Sequence, residues 1–219
     1  VVVAPHNMAL GGGCELSLHA DHIQAHAELY MGLVEVGVGL IPAGGGTKEM
    51  TLRFSNGIIA GDVEFNQLQE YFMNIATAKV STSAEEARGL GYLRASDGIS
   101  LNRKRQLADA KDKVISMSDL GYTQPIPQRN IKVLGKSGLA NFEAGIMGMI
   151  YGGYISEHDA KIAKKLANVM AGGDLSAPTE VTEQYLLDLE REAFLSLTGE
   201  KKTLERIHSI LFKGKPLRN

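Results

Sequence analysis

The chain has 219 residues, 44% of them hydrophobic, with 23 Lys and Arg against 25 Asp and Glu. That is enough apolar material to bury one sizeable core, and the length allows one domain or two small ones. A net charge of −2 with no clustered positive field argues against a nucleic-acid partner, and the single cysteine, Cys14, rules out an internal disulfide and suits a reducing compartment.

Val1 to Ala4 is a short β-branched run of the kind a buried strand shows, closed by the breakers Pro5 and His6. Gly11, Gly12 and Gly13 then predict a turn from strand into helix. Glycines there let the backbone approach a ligand closely, while the first N–H groups of the helix lack an intrahelical partner. Such groups suit a bound anion or a developing oxyanion. Glu15 falls in the first turn, where a lone acid more often than not simply complements the helix dipole. Glu35 changes the balance. It stands between Val34 and Val36 in an apolar, glycine-rich stretch, where desolvation raises a carboxyl pKa. Two carboxylates, each with an apolar and glycine-framed setting, point to an acid/base pair.

Between these units, His19, His22 and His26 invite a metal reading. Ile23, Ala25 and Ala27, however, alternate with Gln24, His26 and Glu28 as a strand with one wet face would. His22 and His26 are therefore expected to point away from the core, and no metal site is expected. The glycine runs do not fit nucleotide fingerprints either. Leu16 stands where a dinucleotide motif wants glycine or alanine, and Thr47 and Lys48 follow their glycines in the reverse of P-loop order. The second run is expected to open a helix over Lys48 to Phe54.

Further on, Phe65, Leu68, Phe72, Ile75 and Ala76 predict a one-faced apolar helix within Asp62 to Lys79. Ser83 and Glu86 form a capping-box pattern for a helix that stops near Gly89 or Gly91. Leu101 to Met117 has helical spacing, with Arg103, Lys104 and Arg105 as a solvated start. Gly121 to Gln128, containing Pro125 and Pro127, interrupts regular structure. Helices are then predicted over 137–152, 156–170, 179–197 and 203–212, the last stopped by Gly214 and Pro216. The expected class is α/β (α+β), with a strand–helix core over 1–120, a linker over 121–136 and a helical subdomain over 137–219.

The run Ala9-Leu-Gly-Gly-Gly-Cys-Glu15-Leu with Asp21, then Gly32, Glu35, Gly39, Pro42 and Gly45-Gly46-Thr47, resembles the crotonase (enoyl-CoA hydratase/isomerase) superfamily. Ser83 to Leu93 is similar to the helix and turn that follow in that family, so the resemblance covers roughly the first half of the chain. The C-terminal part, ending in Gly214 to Asn219, is similar to the version of this domain found in multifunctional fatty-acid oxidation proteins that also carry a 3-hydroxyacyl-CoA dehydrogenase. One departure is Val34, where hydratases often have proline. The resemblance implies a partial crotonase-like ββα spiral with a C-terminal helical subdomain. It gives Glu15 and Glu35 catalytic roles and assigns Gly11, Gly12, Gly13 and Gly39 to the oxyanion and substrate site, the Gly12 N–H being one of two oxyanion donors.

The implied reaction is hydration of a 2-trans-enoyl-CoA thioester to the 3-hydroxyacyl-CoA in fatty-acid β-oxidation. The substrate is an acyl-CoA and no cofactor is expected in this chain. NAD enters only through a dehydrogenase region of a longer protein. Δ3,Δ2-enoyl-CoA isomerisation is the enzymatic alternative, and a non-catalytic acyl-CoA-binding or docking module is the alternative of a different class. The family's second oxyanion donor and most of its coenzyme A contacts belong to an earlier segment without a counterpart here. Because the chain opens without methionine on a strand already under way, it is expected to be part of a longer protein, inactive or nearly so alone and able to self-associate as a homo-oligomer. No run approaches the roughly 18 apolar residues of a membrane span, so a soluble protein is expected, in the cytoplasm or alternatively in an organellar matrix.

Overall fold

The computed structural model describes residues 1–219. Five short strands come first: β1 (Val2–Val3), β2 (Met8–Leu10), β3 (His22–His26), β4 (Tyr30–Gly32) and β5 (Gly98–Ser100). They alternate between two sheets, β1-β3-β5 and β2-β4, and every ladder among them is parallel. Each turn of the chain therefore lays one strand in each sheet beside the strand of the turn before, which is a spiral. The β2–β4 register, Ala9 opposite Met31 and Leu10 opposite Gly32, is extended by the Gly11 N–H donating to Gly32 O at 2.9 Å. Parallel pairing makes both strands end at one edge. The segments leaving them, helix α1 (Gly12–Leu18) and a 3-10 turn (Glu35–Val38), consequently start side by side at the carboxyl ends of the strands, where parallel sheets place ligands.

The remaining elements are α2 (Gly46–Gly57), α3 (Glu64–Ala76), α4 (Ala84–Gly89), α5 (Gln106–Asp119), β6 (Ile131–Val133), α6 (Gly135–Tyr151), α7 (Glu157–Met170), β7 (Thr179–Val181), α8 (Glu183–Thr198) and α9 (Lys201–Lys213). Apolar periodicity locates the helices well, because each packs one stripe inward. Ser83 caps α4 by accepting the Glu86 N–H at 3.1 Å, but the returning Glu86 carboxylate takes the N–H of Thr82, at 2.7 Å, instead of that of Ser83. None of the helices is long and apolar enough to cross a membrane.

Two local expectations need correction. The irregular stretch after Gly121 ends at Asn130, and Ile131 to Val133 pair antiparallel with Val181 to Thr179, where a helix start was expected. Thr182 then caps α8 by accepting the Tyr185 N–H at 3.1 Å. The other correction concerns the histidines. His22 and His26 are only 5% and 8% exposed, because α5 lies across β1 and β3 on the face expected to be wet. The α5 residue Gln106 ties the layers together by donating to Pro5 O at 2.7 Å and Gln24 O at 2.8 Å.

A single apolar cluster of 30 residues draws Leu18, Ile23, Leu33, Met50, Phe54 and Tyr92 from the front of the chain together with Phe142, Ile162, Leu166 and Leu197 from its later helices. The later helices thus form one wall of the same core. A smaller cluster of Leu52, Ile131, Val133, Val181 and Leu186 fastens the β6–β7 hairpin to α2 and α8.

Candidate active site

Each of the two glutamates meets the backbone of a different glycine run. Gly11 leaves β2 with φ 54°, a left-handed conformation that L side chains rarely adopt, and so turns the chain into α1. A Cβ at Gly11 would sit 3.2 Å from Oε1 of Glu35 and 3.7 Å from Val34 Cγ2. The Glu35 carboxyl therefore rests against the first glycine run. A Cβ at Gly12 or Gly13 would meet nothing within 4 Å, both residues are exposed, and as the first residues of α1 their N–H groups have no intrahelical acceptor. Glu35 Oε2 is buried without a hydrogen-bond partner. Its carboxyl pKa is pushed up to about 7, mainly by burial and further by the charge of Glu15. Cys14, on the buried side of α1, has its thiol pushed far up by burial and by Glu35, which leaves it inert as a nucleophile.

Glu15 faces the second glycine run. Its Oε1 accepts the N–H groups of Gly44 and Gly46, each at 2.8 Å. A Cβ at Gly44 would lie 2.6 Å from Glu15 Oε2, and one at Gly46 would lie 2.7 Å from Oε1, so the side chain fits only because both positions lack one. Gly11, Gly12, Gly13, Glu15 and Glu35 are in this way gathered where α1, the 3-10 turn and the start of α2 meet. Gly39 is not. It closes the 3-10 turn with φ 88° and its carbonyl accepts from Thr203 Oγ1 at 2.9 Å, so it packs on α9 rather than on either carboxylate.

A third carboxylate, not anticipated from sequence, belongs to this cluster. Glu190 of α8 is 1% exposed, and its Oε1 and Oε2 accept the N–H groups of Gly45 and Lys48, each at 2.7 Å. Burial pushes its pKa up to about 7, and Glu15 adds to the rise. The signal was present in the pattern: Leu186, Glu190, Ala193 and Leu197 share the buried stripe of α8, and a glutamate there needs a polar partner. Nearby, the Arg53 guanidinium supports the base of the site, donating to Leu18 O, Gly91 O and Tyr92 O at 3.0 Å and to Glu49 Oε1 at 3.1 Å.

No protein-family model matches the chain. It is 52% identical over 219 residues, all of its length, to the "Probable 3-hydroxyacyl-CoA dehydrogenase" of Bacillus subtilis (strain 168), of which it covers 27%. It is 28% identical over 207 residues to the peroxisomal bifunctional enzyme of Cavia porcellus, covering 94% of this chain and 25% of that one. The chain thus spans about a quarter of the length of these curated relatives. Among solved structures, an enoyl-CoA hydratase from Mycobacterium avium subsp. paratuberculosis K-10 superposes on 99% of this chain and 64% of its own, with a TM-score of 0.53 at 16% identity. That likeness shows the fold. With its spiral of parallel strands and its two glycine-framed glutamates, the chain has the crotonase-like fold of that hydratase, and along nearly its whole length it is similar to part of the two longer relatives.

Proposed function

We propose that this chain carries the hydratase part of a longer, cytoplasmic β-oxidation protein, adding water to a 2-trans-enoyl-CoA to give the 3-hydroxyacyl-CoA. The observation that carries the reading is Glu35: a buried carboxyl oxygen with no partner, on a group pushed up to about 7, resting against Gly11 of the first glycine run. An acid or base whose pKa lies near the working pH is the most useful one for proton transfer. Glu15 and Glu35 hold the water that attacks the β carbon. As the new C–O bond forms, the water gives up a proton to the Glu15 carboxylate and the double-bond electrons move towards the thioester oxygen, where the Gly12 N–H stabilises the enolate charge. Glu35 delivers the proton to the α carbon. The N–H groups of Gly44 and Gly46 fix the orientation of Glu15, so little rearrangement is needed during the reaction. The reaction calls for no metal or redox cofactor.

The test is hydration of crotonyl-CoA by the full-length protein, followed as loss of absorbance of the conjugated thioester, beside conversion of a 3-enoyl-CoA to the 2-enoyl isomer. Hydration that outpaces isomerisation and disappears in Glu15→Gln is expected. Isomerisation alone would replace the reading by the isomerase, and turnover of neither substrate would leave an acyl-CoA-binding module.

A further inference from the structure

Four backbone donors around the start of α2, those of Gly44, Gly45, Gly46 and Lys48, are shared alternately between two buried carboxylates. Gly44 and Gly46 donate to Glu15, while Gly45 and Lys48 donate to Glu190. The two glutamates reach this turn from different parts of the chain: Glu15 from α1, and Glu190 from α8, 145 residues after Gly45. Gly45 itself is left-handed, with φ 92°, and no local side chain caps α2. Glu190 bridges the cap position and the third residue of α2, as a local capping side chain would, but from a distant helix. The α8 stripe of Leu186, Ala193 and Leu197 is buried on either side of Glu190 and holds its carboxylate in place.

We infer that Glu190 is a positioning residue for Glu15: by clamping Gly45 and Lys48 it sets the direction of the Gly44 and Gly46 N–H groups that orient the Glu15 carboxylate. It acts through the backbone and touches no substrate. Its kinetic consequence rests on the hydratase reading, whereas its structural consequence does not. The later helices of the chain then complete the site instead of only enclosing the core.

Glu190→Gln keeps the shape of the side chain but replaces one acceptor oxygen by a donor, so one of the two clamping N–H groups loses its partner. In the folded full-length protein, this variant is expected to lower kcat for crotonyl-CoA hydration about 10-fold, with KM within about twofold, the pattern of a misdirected catalytic group. Added to Glu15→Gln, it is expected to change kcat no further, because its effect runs through Glu15. Hydrogen exchange resolved to single amides should show Gly44 and Gly46 exchanging about 10-fold faster in Glu190→Gln, although both donate to Glu15 and not to residue 190. Unchanged exchange at Gly44 and Gly46, or a kcat loss that adds fully to that of Glu15→Gln, overturns the inference. If the parent protein hydrates nothing, the hydratase reading fails, and the exchange measurement still decides whether Glu190 positions Glu15.

Discussion

Gly44→Ala is the sharpest probe of how the site is held. Gly44 has no left-handed φ, so alanine is compatible with its backbone, and the perturbation is the methyl group alone. That methyl would lie 2.6 Å from Glu15 Oε2, against an ordinary contact beginning at 3.4 Å, an overlap of 3.4 − 2.6 = 0.8 Å. Backbone cannot yield easily at the start of a helix whose next N–H groups are held by Glu190 and Glu15, so the carboxylate must move by about that distance. A shift of about 1 Å at a reacting group costs on the order of 10²-fold in rate. The expected outcome is therefore a kcat for crotonyl-CoA hydration about 100-fold below the parent, with the fold retained by circular dichroism. Gly145→Ala, at an α6 position where an added Cβ meets nothing within 4 Å, serves as the control and should match the parent. If folded Gly44→Ala keeps more than half of the parental kcat, Glu15 either tolerates displacement or takes no part in turnover, and the geometric reasoning fails.

Glu15→Gln and Glu35→Gln should each lower hydration by roughly 10²–10⁴-fold with little change in folding, as positioned acids and bases do; near-parental turnover in either folded variant refutes the paired mechanism. Gly12→Val should reduce kcat about 10²–10³-fold while affinity for a saturated acyl-CoA changes much less, and equal losses in both would show that the glycines serve general binding. The protonated form of Glu35 is lost above about pH 7, so hydration should fall on the alkaline side; a rate flat from pH 6 to about 9 would exclude Glu35 as the proton donor. Stability has the same sign. Between 4.5 and about 7 the folded chain holds a proton on Glu35 that the unfolded chain has released, so stability falls as pH rises through that window, and denaturant titrations of Glu35→Gln should show a shallower fall. Arg53→Ala should cost about 3–5 kcal/mol, since it removes the donor to three carbonyl groups and leaves Glu49 with Lys48 as its remaining cationic partner; a loss below about 1 kcal/mol by urea unfolding would contradict that account.

Local chemistry made much of this protein legible before any tertiary contact was known. The apolar stripes of α3, α7 and α9, the Ser83 cap and the two glycine frames are written in consecutive residues, because helix periodicity, capping and turn formation depend on neighbours within about one turn. The isolation of Glu35 among valines likewise foretold a raised carboxyl pKa, since desolvation is partly set by adjacent side chains. Other features were decided by contacts across the chain. His22 and His26 alternate like residues of a wet face, yet α5 arrives from about 80 residues later and covers them. β6 and β7 are three residues each, too short to show a period, and exist because each satisfies the other's backbone groups. Gly39 carries the same positive-φ signature as Gly11, but tertiary packing gives it to Thr203 instead of to a carboxylate. Glu190 looks in sequence like any acid on a helix. Only the docking of α8 against the start of α2 buries it, gives it the N–H groups of Gly45 and Lys48, and sets it beside Glu15, because a buried carboxylate is stable only where donors from elsewhere in the fold converge on it.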